Sequence, residues 1–177
     1  MKNILLILLF SCLGCGMVST LPASGGSAGV GDARAFGRWS TTEVMGAPVT
    51  NPTQIEVTDT GERSVQLDVT ASGETSVISG VYISIGSLQV LSVQNDQDSW
   101  NILFLEFSAD GQVLTVRAMD VDVVRTAVEE GQLVGEVILP DTSEMLISVG
   151  AASPELVDFI AATPTAVGTV VGILSKE

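Results

Sequence analysis

The sequence predicts a mainly β fold, an antiparallel meander forming a barrel or strongly curved sheet with two short helices; an α+β arrangement is the alternative. Three observations carry that expectation. Apolar and polar residues alternate with period two in several stretches between residues 55 and 119, as in strands buried on one face. Short breaks rich in Asp, Gly and Ser separate these stretches, and such breaks suit hairpins better than crossover connections. Helical spacing appears only near residues 121–128 and 154–162, each time beside a start signal.

The central element runs from Trp100 to Asp120. Two apolar runs flank Asp110-Gly111, a dipeptide that readily supplies two consecutive positive φ values, so the segment reads as a tight hairpin. Pairing outward sets Phe107 opposite Leu114, Leu105 opposite Val116 and Leu103 opposite Ala118 on the core face. The other face sets Glu106 opposite Thr115, Phe104 opposite Arg117 and Ile102 opposite Met119, which makes Glu106 and Arg117 diagonal neighbours.

Upstream, Ile55 and Val57 alternate with Glu56 and Thr58, and Val65, Leu67 and Val69 alternate with Gln66, Asp68 and Thr70. These are two strands joined through Asp59-Thr60-Gly61-Glu62. Asp-Thr-Gly resembles the catalytic triplet of aspartic proteases, which need two such aspartates sharing one proton in a sheltered site. Here there is one copy, followed at once by Glu62 and Arg63, and it reads as a turn. Val81, Ile83 and Ile85 lead up to Gly86-Ser87, and Leu88, Val90 and Val93 lead away; Gly in first place suits a type II′ turn. Tyr82, the only tyrosine, faces away from Ile83, either as a packed aromatic or as a ligand contact. Asn95-Asp96-Gln97-Asp98 is a polar loop that lacks the twelve-residue calcium-loop spacing with its Gly and terminal Glu.

Downstream, Val121, Val124 and Val128 share one helical face, with Asp120 as the amino-terminal cap and Gly131 as the stop. Residues 133–139 and 145–149 read as two further strands around Pro140-Asp141-Thr142-Ser143. Ser153-Pro154-Glu155 opens a second helix that buries Leu156, Phe159 and Ile160 and ends at Thr163-Pro164. Residues 168–174 are valine-rich and return as a final strand.

The amino end has the layout of an export signal: Lys2, an apolar core from Ile4 to Phe10, then small residues with both cysteines, Cys12 and Cys15. That core is too short for a membrane-spanning helix, which needs about 20 apolar residues. The domain plan is therefore a signal over 1–15, a flexible tether over 16–35 and one β-rich domain over 36–177. The Ser, Gly, Ala and Pro of residues 16–31 would span ~20 Å as a random coil.

Leu9-Phe10-Ser11-Cys12 and Cys12-Leu13-Gly14-Cys15 resemble the lipobox of bacterial lipoproteins, the first through its Leu and Ser, the second through its Gly. The resemblance implies acylation of Cys15, or of Cys12, with a diacylglyceryl group and a further acyl chain such as palmitate, and so a membrane anchor. Gly37-Arg38-Trp39 resembles the Gly-x-Trp opening of lipocalins and other calycins, where the Trp plugs one end of a barrel. The order from Gly37 onward, with a β-meander, a helix followed by Gly131-Gln132-Leu133-Val134-Gly135 and a late Ser-Pro-Glu-Leu helix, is similar to uncharacterised small bacterial lipoproteins. That resemblance implies location in the cell envelope, on the extracytoplasmic side, and no assigned activity.

Charge and composition narrow the chemistry. The chain holds 21 acidic against 7 basic side chains, which argues against a phosphate backbone as partner, so no nucleic acid is expected. Histidine is absent, removing the commonest general base and metal ligand, and no cofactor or metal is implied. The expected function is a non-catalytic binding or scaffolding domain, with envelope proteins or a small apolar ligand as partners. Trp39, Tyr82 and Trp100 are its aromatic landmarks, as core residues or as ligand contacts. The alternative is a hydrolase working through carboxylates alone, for which Glu106, set in an apolar strand, is the acid to examine; Arg117 beside it would lower its pKa, the wrong direction for a general acid.

Overall fold

The computed structural model describes residues 17–95, 99–138, 146–150 and 153–177. Strands β1 (Met17–Ser19) and β2 (Gly29–Val30) precede β3 (Gly37–Val44), β4 (Ala47–Pro48), β5 (Gln54–Gly61), β6 (Ser64–Ala71) and β7 (Glu74–Ile85). There follow β8 (Leu88–Gln94), β9 (Trp100–Phe107) and β10 (Val113–Met119). Helix α1 (Val121–Glu129), β11 (Gly135–Ile138), β12 (Leu146–Val149) and helix α2 (Ser153–Ala162) then lead to β13 (Val167–Lys176).

Eight of these strands form a closed antiparallel barrel in the order β3-β5-β6-β7-β8-β9-β10-β13, and β13 returns to β3 to shut the seam. Closure satisfies the backbone edges that an open sheet would expose. The central hairpin has the register expected from its sequence, with Phe107, Leu105 and Leu103 opposite Leu114, Val116 and Ala118. Its outer face brings Arg117 Nε to 3.2 Å from Glu106 Oε2.

Two turns differ from expectation. At the central hairpin only Gly111 has positive φ (69°), because the reversal is a turn over Ser108–Gly111. Asp110 supports it from its side chain, accepting from the Ser108 hydroxyl at 2.6 Å and the Gln112 amide at 3.1 Å. Between β5 and β6 the reversal falls at Glu62-Arg63, both with positive φ (50° and 71°), so β5 runs on through Gly61. Asp59 of the Asp-Thr-Gly triplet accepts from the Gly61 amide at 2.8 Å and is exposed, a backbone-supporting role. The Gly86-Ser87 turn and the start of α1 are as read: Asp120 accepts from the amides of Asp122 and Val123, and Gly131 follows α1 at φ 72°, while α2 begins at Ser153 itself, one residue before the expected Pro154.

Outside the barrel lies a second layer. Strand β1 runs parallel to β12, β12 runs antiparallel to β11, and β1 joins the barrel wall where Ser19 pairs with Trp100 of β9. With α1 and α2 it buries the outer face of β7, β8 and β9: Ile83, Val90, Ile102 and Phe104 meet Val124, Ile147, Leu156 and Ile160. The run Ile102-Leu103-Phe104-Leu105 is buried at all four positions because successive side chains enter the two cores in turn.

The segment expected to be a flexible tether is built into this body from Met17 onward. Ser19 and Ala23 are wholly buried, the Ala23 amide donates to Ser92 Oγ at 3.0 Å, and β2 pairs with β7. Its small residues permit close approach: a Cβ on Gly31 would overlap the ring of buried Tyr82, and one on Gly29 would come within 2.5 Å of Ser84 Oγ. Gly, Ala and Ser suit a close-packed strap as well as a coil. The expected lipidation residues, Cys12 and Cys15, and the calcium-like positions 96–98 lie outside the described residues. Among the described residues, no helix is long and apolar enough to cross a membrane.

Candidate functional site

The barrel interior is an apolar space enclosed by its eight strands. Inward residues of every barrel strand fill it, among them Trp39, Ile55, Leu67, Tyr82, Leu91, Leu105, Leu114 and Leu174. They leave a void of about 70 Å³ that reaches from Ala35 and Trp39 at one end to Val44, Val171 and Gly172 toward the other. Gly172 contributes only backbone there; a Cβ would find its nearest neighbours at 3.7 Å and 4.0 Å, ordinary contacts. Thr41, the polar residue on the wall, has its hydroxyl occupied by the Thr53 amide at 2.8 Å.

One barrel end is capped from within the chain. Strap residues Ala33–Ala35 form a 3-10 turn, and Ala35 is buried against the core. Trp39 is fully buried beneath it and donates its indole N–H to the Ala35 carbonyl at 2.8 Å. Lys176 lies 5.2 Å from the Trp39 ring and donates to the Arg34 carbonyl at 3.2 Å, while Arg34 sits 5.0 Å from the Phe107 ring. The last strand therefore ties down the cap that the first barrel strand supports.

Tyr82 faces the interior, opposite in direction to Ile83, and is 2% exposed. Its hydroxyl donates to Gln89 Oε1 at 3.0 Å, and the same oxygen accepts from the Asp32 amide at 2.8 Å, joining barrel wall to strap. Burial pushes the phenol well above the ordinary tyrosine range. The fold thus retains a proton that the unfolded chain releases near pH ~10, so stability is full below that pH and falls as pH rises above it. Since Tyr82 is the only tyrosine, tyrosinate absorbance is expected to appear only with alkaline unfolding; ionisation of the folded protein near pH ~10 would show the phenol reaching solvent. Asp32 is shifted down, chiefly by the hydrogen bond from the Arg34 side chain.

Trp100 is not part of this site. It sits half-buried at the start of β9, paired with Gln94 and Ser19, on the side of the second layer. Glu106 is on the outer wall with its side chain 66% exposed, in no cleft and paired with Arg117. Among the described residues no group of His, Cys, Asp and Glu is arranged to hold a metal ion, and no buried side-chain polar atom lacks a partner. A wider groove of about 440 Å³ lies between β2 and the β5–β6 turn, lined by Val30, Phe36, Val65 and Tyr82 together with the charged Asp59, Glu62 and Arg63. Arg63 already donates to the Ala28 carbonyl at 2.7 Å.

The cavity-lining role of Gly172, Val171 and Val44 was not foreseen, although a glycine inside the valine-rich run 167–174 is a mark of space or close approach. The fold and site together define a closed, eight-stranded antiparallel barrel with an apolar interior, one end capped by its own amino-terminal strap. No protein-family model, curated protein or solved structure matches the chain.

Proposed function

We propose that this is a lipid-anchored protein of the cell envelope whose barrel is a non-catalytic binding module, taking the tip of a slender apolar molecule into its interior. The observation that carries the reading is the void beside Gly172, apolar on nearly every side and continuous with the buried face of Trp39. Its size sets the class of guest. About 70 Å³ is under half of the ~150 Å³ apolar cavity that accepts benzene and far below the ~300 Å³ at which drug-sized pockets begin. A few methylene groups of an unbranched chain fit; a ring system does not. The anchor is supported by Lys2, the short apolar core and the Cys12 and Cys15 motifs, and mass spectrometry of the mature amino terminus tests it.

The guest is tested with a series of straight-chain primary alcohols, using cyclohexanol as a bulkier comparator. Binding at one site stabilises by about 0.4 kcal/mol at a ligand concentration equal to Kd and ~2.7 kcal/mol at a hundredfold excess. The straight-chain series is expected to raise the melting temperature, and Gly172→Leu, whose Cβ would make only ordinary contacts at the edge of the void, to abolish the effect. The small volume favours a second reading, a solid scaffold whose partners dock outside. An unchanged melting temperature across the series would select it.

A further inference from the structure

Resting on the lipid-anchor reading above, we infer that the barrel stands with no tether directly on the lipid surface, and that the layer formed by β1, β12 and β11 faces the bilayer. The inference comes from where ordered structure begins. Strand β1 starts at Met17, with Met17 beside Ile147 and Ile147 beside Val137. Met17 is two residue steps from Cys15, a reach of at most ~7 Å, and five steps from Cys12, at most ~18 Å. Strand β1 is a ladder member and leaves no slack: Ser19 is fully buried, its hydroxyl donates to the Leu21 carbonyl at 2.6 Å, and the Thr20 amide donates to Val149. With Cys15 carrying the acyl chains, they emerge beside this layer.

The exposed surface there carries apolar side chains around one acidic residue, Glu136. Seven large apolar residues are exposed among those described, and three of them, Leu21, Val134 and Ile138, lie on or next to these short strands. Ile138 pairs with Leu146 one step beyond the Met17–Ile147–Val137 row, on the side from which the preceding chain enters. Leu21 and Val134 flank the other end, where the Thr20 amide donates to Val149 and the Gly150 amide to Val134. Opposite them on the barrel is β5, four strands from β9 in either direction around the wall.

The test uses the full acylated protein on a supported phosphatidylcholine bilayer. Neutron reflectometry is expected to show the protein layer in contact with the headgroups, and ten Gly and Ser residues inserted between Gly16 and Met17 should open a hydrated gap of ~20 Å. A gap of that size in the parent protein, or no change on insertion, would overturn the inference. Orientation is read by quenching with brominated acyl chains: the added indole of Ile138→Trp should be quenched, and that of Thr58→Trp on the exposed outer face of β5 should not. Equal quenching at both positions would equally defeat it. Failure of the anchor reading is separate, since it appears beforehand as a mature terminus without acyl mass.

Discussion

Trp39→Ala is expected to lower the stability of the folded protein by about 3–5 kcal/mol, the range for removing a large buried aromatic. Three losses combine at this position. The indole is wholly buried at the floor of the barrel and holds the Ala35 carbonyl. It also faces Phe107 at 6.2 Å and lies beneath the Lys176 ammonium. Truncation would enlarge the void, strand a backbone acceptor beneath the cap and free the end of β13. Urea unfolding followed by circular dichroism measures the change, and Trp39→Phe should recover part of it by refilling the space without the N–H. A loss below about 1 kcal/mol for Trp39→Ala would mean that the capped end adds little to the fold, since an ordinary exposed site costs less than that.

Ile147→Ala is expected to cost about 2–5 kcal/mol, and to do so locally. Ile147 is fully buried at the centre of the second layer, between Met17 and Val137. Its loss weakens the packing that holds β1, β11 and β12 against α1 and the outer wall of β9. Hydrogen exchange should therefore quicken in those strands and in α1, while amides of β5 and β6, whose side chains belong to the barrel core, stay protected. Uniform acceleration over the whole domain would show that the two cores melt as one unit.

Much of the barrel was legible because its local signals agree with one another. The hairpin from Trp100 to Met119 combines period-two alternation, a glycine at the turn and complementary charges on the solvent side, and each constraint admits the same register. The Glu62-Arg63 reversal was misplaced because neither residue advertises positive φ, while Asp59-Thr60-Gly61 just before it does. The second layer was harder to read. It makes β7 to β9 two-sided, so the barrel-facing side of the run at Ile102 was legible through Leu103 and Leu105, while the second buried face carrying Ile102 and Phe104 was not.

The strap was misread as a tether for a related reason. Its glycines and alanines are small because neighbours approach closely, and composition alone cannot tell crowding from freedom. Of the aromatic landmarks, Trp39 and Tyr82 do converge on the interior and Trp100 does not. The void itself depends on what Gly172 omits, and only the folded arrangement brings that position to one space with Trp39 and Leu105.

The wiring of the barrel also fixes when it can form. Its first strands find partners made last: Met17 lies beside Ile147, and Trp39 beside Lys176. Contacts so remote in sequence must be reached by closing long loops before they give anything back, which places this topology among the slow folders. Neither the seam nor the outer layer can assemble on a half-made chain, and the ten residues of β13 act as the latch. The barrel therefore stays open, whatever its other strands have formed, until β13 has been made and paired on both sides.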